Sequence, residues 1–178
     1  MVNETIQTIC ARSSVRSYNS EKPVEQEKLE SILRAGLAAP TAGGIEPWKI
    51  YVVQDKEKRI ALANSSTISR DTVFIQQAPV LLVVCGYPAQ SASKYASRGE
   101  NLYIIQDTAA MTENILIAAT SLGLSTCWIG SFVDEKVKSI LNCPEGLKPM
   151  SIICLGYTDM QDPKPRKIKP IDTYVEYM

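Results

Sequence analysis

Two arginines and three serines fall within six residues, Arg12-Ser13-Ser14-Val15-Arg16-Ser17. A guanidinium is a planar, permanently charged fork that matches phosphate oxygens. Serine hydroxyls and turn N–H groups complete a cradle for an anion. The hook therefore reads either as a phosphate grip or as a solvated basic turn. A second basic stretch lies far along the chain, in Lys164-Pro165-Arg166-Lys167. There is no histidine, which removes Ser-His-Asp and Cys-His catalysis and every histidine-based metal site. Cys10, Cys85, Cys127, Cys143 and Cys154 form no C-x-x-C pair, so neither a zinc cluster nor a disulfide framework is expected. Cys127 beside Trp128 reads as a core residue rather than a redox thiol, with no neighbour in sequence to lower its pKa. An enzyme made of these parts takes its hard chemistry from a cofactor.

The elements that position these residues follow from periodicity. Asn3 to Cys10 suits a short helix with Ile6 and Ile9 on one side. After Lys22-Pro23, Leu29, Ile32, Leu33, Gly36 and Leu37 recur at helical spacing until Pro40. Pro40-Thr41-Ala42-Gly43-Gly44-Ile45-Glu46-Pro47 is dense in small residues. It is either a connector or a place where backbone approaches a ligand. Trp48 to Val53 is a strand, and Val80 to Cys85 is a continuous apolar run of strand length, buried on both faces. Lys56 to Asn64 and Asp71 to Gln77 read as short helices. Tyr87 to Gly99 reads as a loop or mobile cover. Leu102 to Leu122 is a long, largely apolar helix, suited to a core position, a partner chain or both, and it predicts a homodimer. Ser125 to Gly130 and Met150 to Leu155 are further strands. Between them Asp134 caps a short helix. Residues 161–170 are basic and proline-rich, hence extended. The alternation in Ile171 to Tyr177 suits an edge strand, of a kind that can add to a partner's sheet.

These elements make one α+β domain over residues 1–178, a three-layer sandwich, with 158–178 as an extended C-terminal arm. No G-x-G-x-x-G follows a strand and no G-x-x-x-x-G-K-[ST] occurs, so neither a Rossmann site nor a P-loop is expected. The formal net charge is zero, from 19 basic and 19 acidic residues, which argues against broad nucleic-acid binding. No apolar run approaches the roughly 20 residues that span a bilayer, and the N-terminus lacks a signal-peptide layout. With free thiols expected, the chain reads as cytoplasmic.

Three stretches and one tripeptide carry a resemblance. Arg12-Ser13-Ser14-Val15-Arg16-Ser17-Tyr18 resembles the R-R-S-x-R-x-[FY] signature of the nitroreductase family. Ala39 to Trp48 is similar to its A-P-S-x-x-N-x-Q-P-W loop, and Leu122 to Gly130 to its G-L-G-T-C-W-I-G stretch. Lys164-Pro165-Arg166 falls where the family has K-x-R. The resemblance implies an α-β-α sandwich with a central, mainly antiparallel sheet, dimerised through a long helix. It implies FMN at the dimer interface, its phosphate held by Arg12, Ser13, Ser14 and Arg16 with Lys164 and Arg166. It places the partner's Pro40, Thr41, Ala42 and Gly44 over the flavin ring, and backbone N–H groups of Gly130 and Ser131 near flavin N5. Gly44 stands for the family's asparagine, Glu46 for its glutamine and Ser13 for a second arginine. No pyrimidine-edge contact is assigned within 64–76.

The activity implied is a ping-pong transfer from NADH or NADPH through flavin N5 to a small planar acceptor, a nitroaromatic or a quinone, with no protein acid or base required. The alternatives are a specialised flavin reaction such as reductive dehalogenation or flavin fragmentation, a flavin carrier or sensor, or a non-flavin helical dimer.

Overall fold

The computed structural model describes residues 3–68, 72–160 and 167–178. Its centre is β2 (Val80–Gly86), buried along its whole length. The apolar run has that character because side chains alternate between two covered faces. Val80, Leu82 and Val84 point to one core, and Leu81, Val83 and Cys85 to the other. β2 pairs antiparallel with β1 (Trp48–Val53) and with β4 (Lys148–Gly156), and β4 pairs antiparallel with β3 (Ser125–Ile129). The strand order is β1-β2-β4-β3.

Helices cover both faces. On one, α2 (Gln26–Leu37) and α6 (Ile104–Ser121) bring Ile32, Met111 and Ile115 onto Leu82 and Ile153. The two helices meet at Gly36, where an added Cβ would lie 2.7 Å from Ile115 Cγ1. On the other face, α3 (Lys56–Ala63), α4 (Val73–Gln77) and α7 (Asp134–Leu141) bring Leu62, Ile75 and Val137 onto Leu81 and Ile152. Each fully buried Leu or Ile contributes about 1.5–3 kcal/mol. The fold is the expected three-layer α+β sandwich. Among the described residues no helix is long and apolar enough to cross a membrane.

Caps agree with the sequence at two starts. Asn3 accepts the Ile6 N–H at 3.0 Å ahead of α1 (Glu4–Ala11), and Asp55 accepts the Lys58 N–H at 2.8 Å ahead of α3. Asp134 differs: it is the first helical residue, Val133 holds the cap position, and the acid serves the helix dipole instead.

Two segments depart from expectation. Residues 87–99 are not a loop: α5 spans Pro88–Arg98 and passes through a wide helical turn, Gly99–Tyr103, into α6. Pro88 opens it with a preset φ, and Ala89, Gln90, Ala92 and Lys94 are good helix formers. Buried Ser91 lies against Gly99, where any Cβ would clash with the Ser91 carbonyl. Ala96, at φ 47°, ψ −139°, breaks the helix near its end. The tail is not an edge strand either. Ile171–Thr173 is one turn of 3-10 helix and the residues after it are irregular and exposed. A strand needs a partner edge, and within one protomer the tail has none.

Candidate functional site

The hook is laid against the outer edge of β3. Ser14 forms a parallel bridge with Thr126, and the Val15 N–H donates to the Thr126 carbonyl at 2.9 Å. Val15 and Tyr18 are buried, and the Tyr18 phenol donates to the Val15 carbonyl at 2.9 Å. These two anchors give a polar run a fixed shape and leave Ser14, Arg16 and Ser17 exposed, with Arg12 and Ser13 half-buried. The Arg12 guanidinium lies 3.6 Å from Glu113 of α6. Arg16 reaches the Ser14 carbonyl only at 3.5 Å, a long and weak contact. Burial pushes the Cys127 thiol up, and the two arginines oppose that only in part. Cys127 is thus a core residue as expected, although, unlike the expectation, charges that favour its thiolate do lie nearby.

β3 carries this edge to Gly130 and Ser131, both exposed. An added Cβ on Gly130 would meet nothing within 4 Å. The turn is pinned by residues 65–67. Ser66 bridges Phe132, the Thr67 N–H donates to the Ser131 carbonyl at 3.0 Å, and the Val133 N–H donates to the Ser65 carbonyl at 2.9 Å. The Thr67 and Ser131 hydroxyls are 2.6 Å apart. Sequence reasoning gave 64–76 no contact. Its only signal was a run of hydroxyl residues after a helix, and nothing local says what those hydroxyls face. A cleft of about 300 Å³ opens beside Gly130, with Ile105, Thr108 and Thr112 of α6 on one wall and Trp128 and Ser151 on the other. Trp128 remains 39% exposed there.

The glycine-rich loop is a built structure. Ala42–Gly44 form one turn of 3-10 helix, and Gly43, Gly44 and Glu46 have φ of 64°, 67° and 51°. Such angles favour glycine and strain Glu46. Thr41 closes the loop on itself: its carbonyl accepts the Gly44 N–H and its hydroxyl the Glu46 N–H, each at 3.2 Å. The Ala42 N–H donates to Asp107 Oδ1 at 3.0 Å, and Lys94 Nζ donates to the Gly43 carbonyl at 3.3 Å. Pro40 is exposed and Thr41 half-buried. Burial raises the Asp107 carboxyl above the ordinary carboxylate range, and the Ala42 N–H acts in the opposite sense.

One protomer therefore brings Arg12, Ser13, Ser14 and Arg16 onto the same strand edge that ends at Gly130 and Ser131. It anchors Pro40, Thr41, Ala42 and Gly44 separately, on α5 and α6. Lys164 and Arg166 lie outside the described residues.

The sequence model of the nitroreductase family matches residues 9–71 and 70–157, and the chain belongs to that family. An Archaeoglobus fulgidus protein, provisionally named an NADH dehydrogenase/NAD(P)H nitroreductase, is 32% identical over 160 residues, which cover 88% of this chain and 86% of the relative. The NADPH-flavin oxidoreductase of Vibrio harveyi is 31% identical over 174 residues, 93% of this chain and 70% of that one. Among solved structures, the Vibrio harveyi NADPH:FMN oxidoreductase complexed with NAD+ superposes with a TM-score of 0.85 at 29% identity, covering 98% of this chain and 77% of that one.

Proposed function

We propose that this FMN-dependent NAD(P)H oxidoreductase works by a ping-pong mechanism at a flavin shared between two protomers. The observation that carries the reading is the hook's pairing with Thr126, which sets the arginine-serine cluster and the Gly130–Ser131 turn along one strand edge. The residues present fit the cofactor. Arg12 and Arg16 supply charge beside the exposed Ser14 and Ser17 and the half-buried Ser13, and the open space at Gly130 admits a planar ring against backbone.

When bound, FMN supplies a two-electron relay, accepting hydride from NADH or NADPH at N5 and passing the electrons to a nitroaromatic or quinone-like acceptor. The chain's own task is binding and orientation. Arg12, Ser13, Ser14 and Arg16, with Lys164 and Arg166, hold the phosphate. Backbone N–H groups of Gly130 and Ser131 would serve the ring edge near N5, on a turn that the Ser66 and Thr67 hydroxyls brace through Ser131. No side chain is needed as acid or base, since solvent supplies protons.

The partner's Pro40, Thr41, Ala42 and Gly44 cover the ring and make the slot for planar substrates. A homodimer is supported by apolar side chains left in solvent, among them Ile105 on α6 and Ile168, Ile171, Tyr174 and Tyr177 in the arm. Gly44 removes a polar side chain from the slot, and exposed Glu46 adds a negative charge at its rim, which disfavours acidic acceptors. The test is to titrate flavin-free protein with FMN and then mix the complex anaerobically with NADH or NADPH. Uptake followed by bleaching of the flavin absorbance is expected; a bound flavin that stays oxidised with both donors contradicts an oxidoreductase.

A further inference from the structure

Asp107 is 6% exposed, a rare place for a carboxylate without a basic partner. Its Oδ1 accepts the Ala42 N–H, while its Oδ2 is shielded from solvent and has no hydrogen-bond partner among the described residues. Burying such a charge costs stability, and this one is held by a single N–H. The N–H it holds belongs to a loop with three positive φ values in four residues, two at glycines and one at Glu46, where it is strained. A loop of that kind keeps its shape only when its surroundings fix it.

Asp107 fixes it from the core side, on the helix that also carries Ile105 and Thr108 into the cleft beside Gly130. From the outer side the exposed Lys94 lies 3.3 Å from the Gly43 carbonyl, and the Tyr95 hydroxyl packs against Gly43. A flexible lysine in water contributes little to order.

We propose that Asp107 is a positioning residue: its buried carboxylate sets the conformation of the Thr41–Gly44 loop, and through that loop the substrate slot over the partner's flavin. The second half rests on the proposed function; the first does not. Asp107 gives up fold stability for loop geometry. Removing its carboxylate leaves the fold as stable or more so while the loop loosens, the reverse of what a merely structural residue does.

The test uses Asp107→Ala, Asp107→Asn and Lys94→Ala. Asparagine keeps an acceptor oxygen at the Oδ1 position and removes the charge. In flavin-free protein, Asp107→Ala should speed amide hydrogen exchange at Ala42 by up to roughly tenfold, as loss of its acceptor implies. Asp107→Asn and Lys94→Ala should stay near wild type, and the melting temperature should not fall in any of the three. In the FMN-loaded enzyme, Asp107→Ala should raise KM for the electron acceptor severalfold with kcat little changed, and Asp107→Asn should restore it. Unchanged Ala42 exchange in Asp107→Ala, a lowered melting temperature, or an asparagine variant as impaired as alanine overturns the proposal. Wild-type protein that takes up no FMN overturns the proposed function and the role in the slot, while exchange at Ala42 still decides whether Asp107 sets the loop.

Discussion

Arg12 is asked to do two things. It pairs with Glu113 at 3.6 Å, and it stands in the hook proposed to grip a phosphate. A partly exposed ion pair at 3.6 Å is worth about 0–1 kcal/mol, less than a guanidinium–phosphate contact, so a phosphate wins the arginine. Arg12→Ala should therefore weaken FMN binding by about 1.5–3 kcal/mol. Glu113→Gln should tighten it slightly, because the competitor is gone; fluorescence titration of flavin-free protein reads both. Equal affinity in wild type and Arg12→Ala would place the phosphate elsewhere. The arginine and serine density of the hook was legible in the sequence, because charge and hydroxyls are properties of residues. Glu113 was not, because its approach to Arg12 depends on how α6 is set against the hook. Ser66 and Thr67 escaped for the same reason: they meet Ser131 only across a paired backbone.

At the level of elements, what could be read depended on how much apolar surface each one buries. β2 and α6 carry long apolar runs, and their places in the core follow directly from the sequence. α5 buries little beyond Ser91, so its helix rests on Pro88 and on a close fit to Gly99 that no periodicity announces. Alternation in Ile171 to Tyr177 suggested a strand, yet pairing rather than alternation makes one. The α2–α6 contact gives a direct check on the packing. An added Cβ at Gly36 lies 2.7 Å from Ile115 Cγ1 and 3.0 Å from Ile115 Cδ1, so one side chain or one helix must shift. Alanine is the better helix former by about 1 kcal/mol, and overpacking costs about 1–3 kcal/mol. Gly36→Ala should therefore be neutral to destabilising by up to about 2 kcal/mol in denaturant unfolding. A clear gain in stability would mean the helices stand further apart than described.

On the scale of the whole molecule, one protomer leaves the proposed site in two pieces. The hook and the Gly130 turn share a strand edge, whereas the 40–46 loop is tied to α6 through Asp107, with Lys94 of α5 adding only a weak, exposed contact. Two protomers would complete the site. In the proposed dimer the arm would be the natural clasp: Ile168 is 73% exposed and Tyr177 88%, and among the described residues β1 pairs only with β2. A chain lacking residues 167–178 should shift toward monomer in sedimentation velocity and lose FMN together with the dimer. A truncated chain that stays dimeric and yellow would remove the arm from the interface. Family membership follows from the matched residues, and the sandwich was legible because its strands are apolar on two faces. The joining of separate stretches into one site was legible only through the resemblance, since no local pattern says that residue 12 and residue 130 lie along one edge. Anaerobic stopped-flow mixing of the FMN complex with NADH and with NADPH reads whether FMN bound here relays electrons from NAD(P)H. Rapid bleaching of the flavin by at least one donor, reversed on adding a quinone or a nitroaromatic, is the predicted result; a flavin that remains oxidised in excess of both would contradict it.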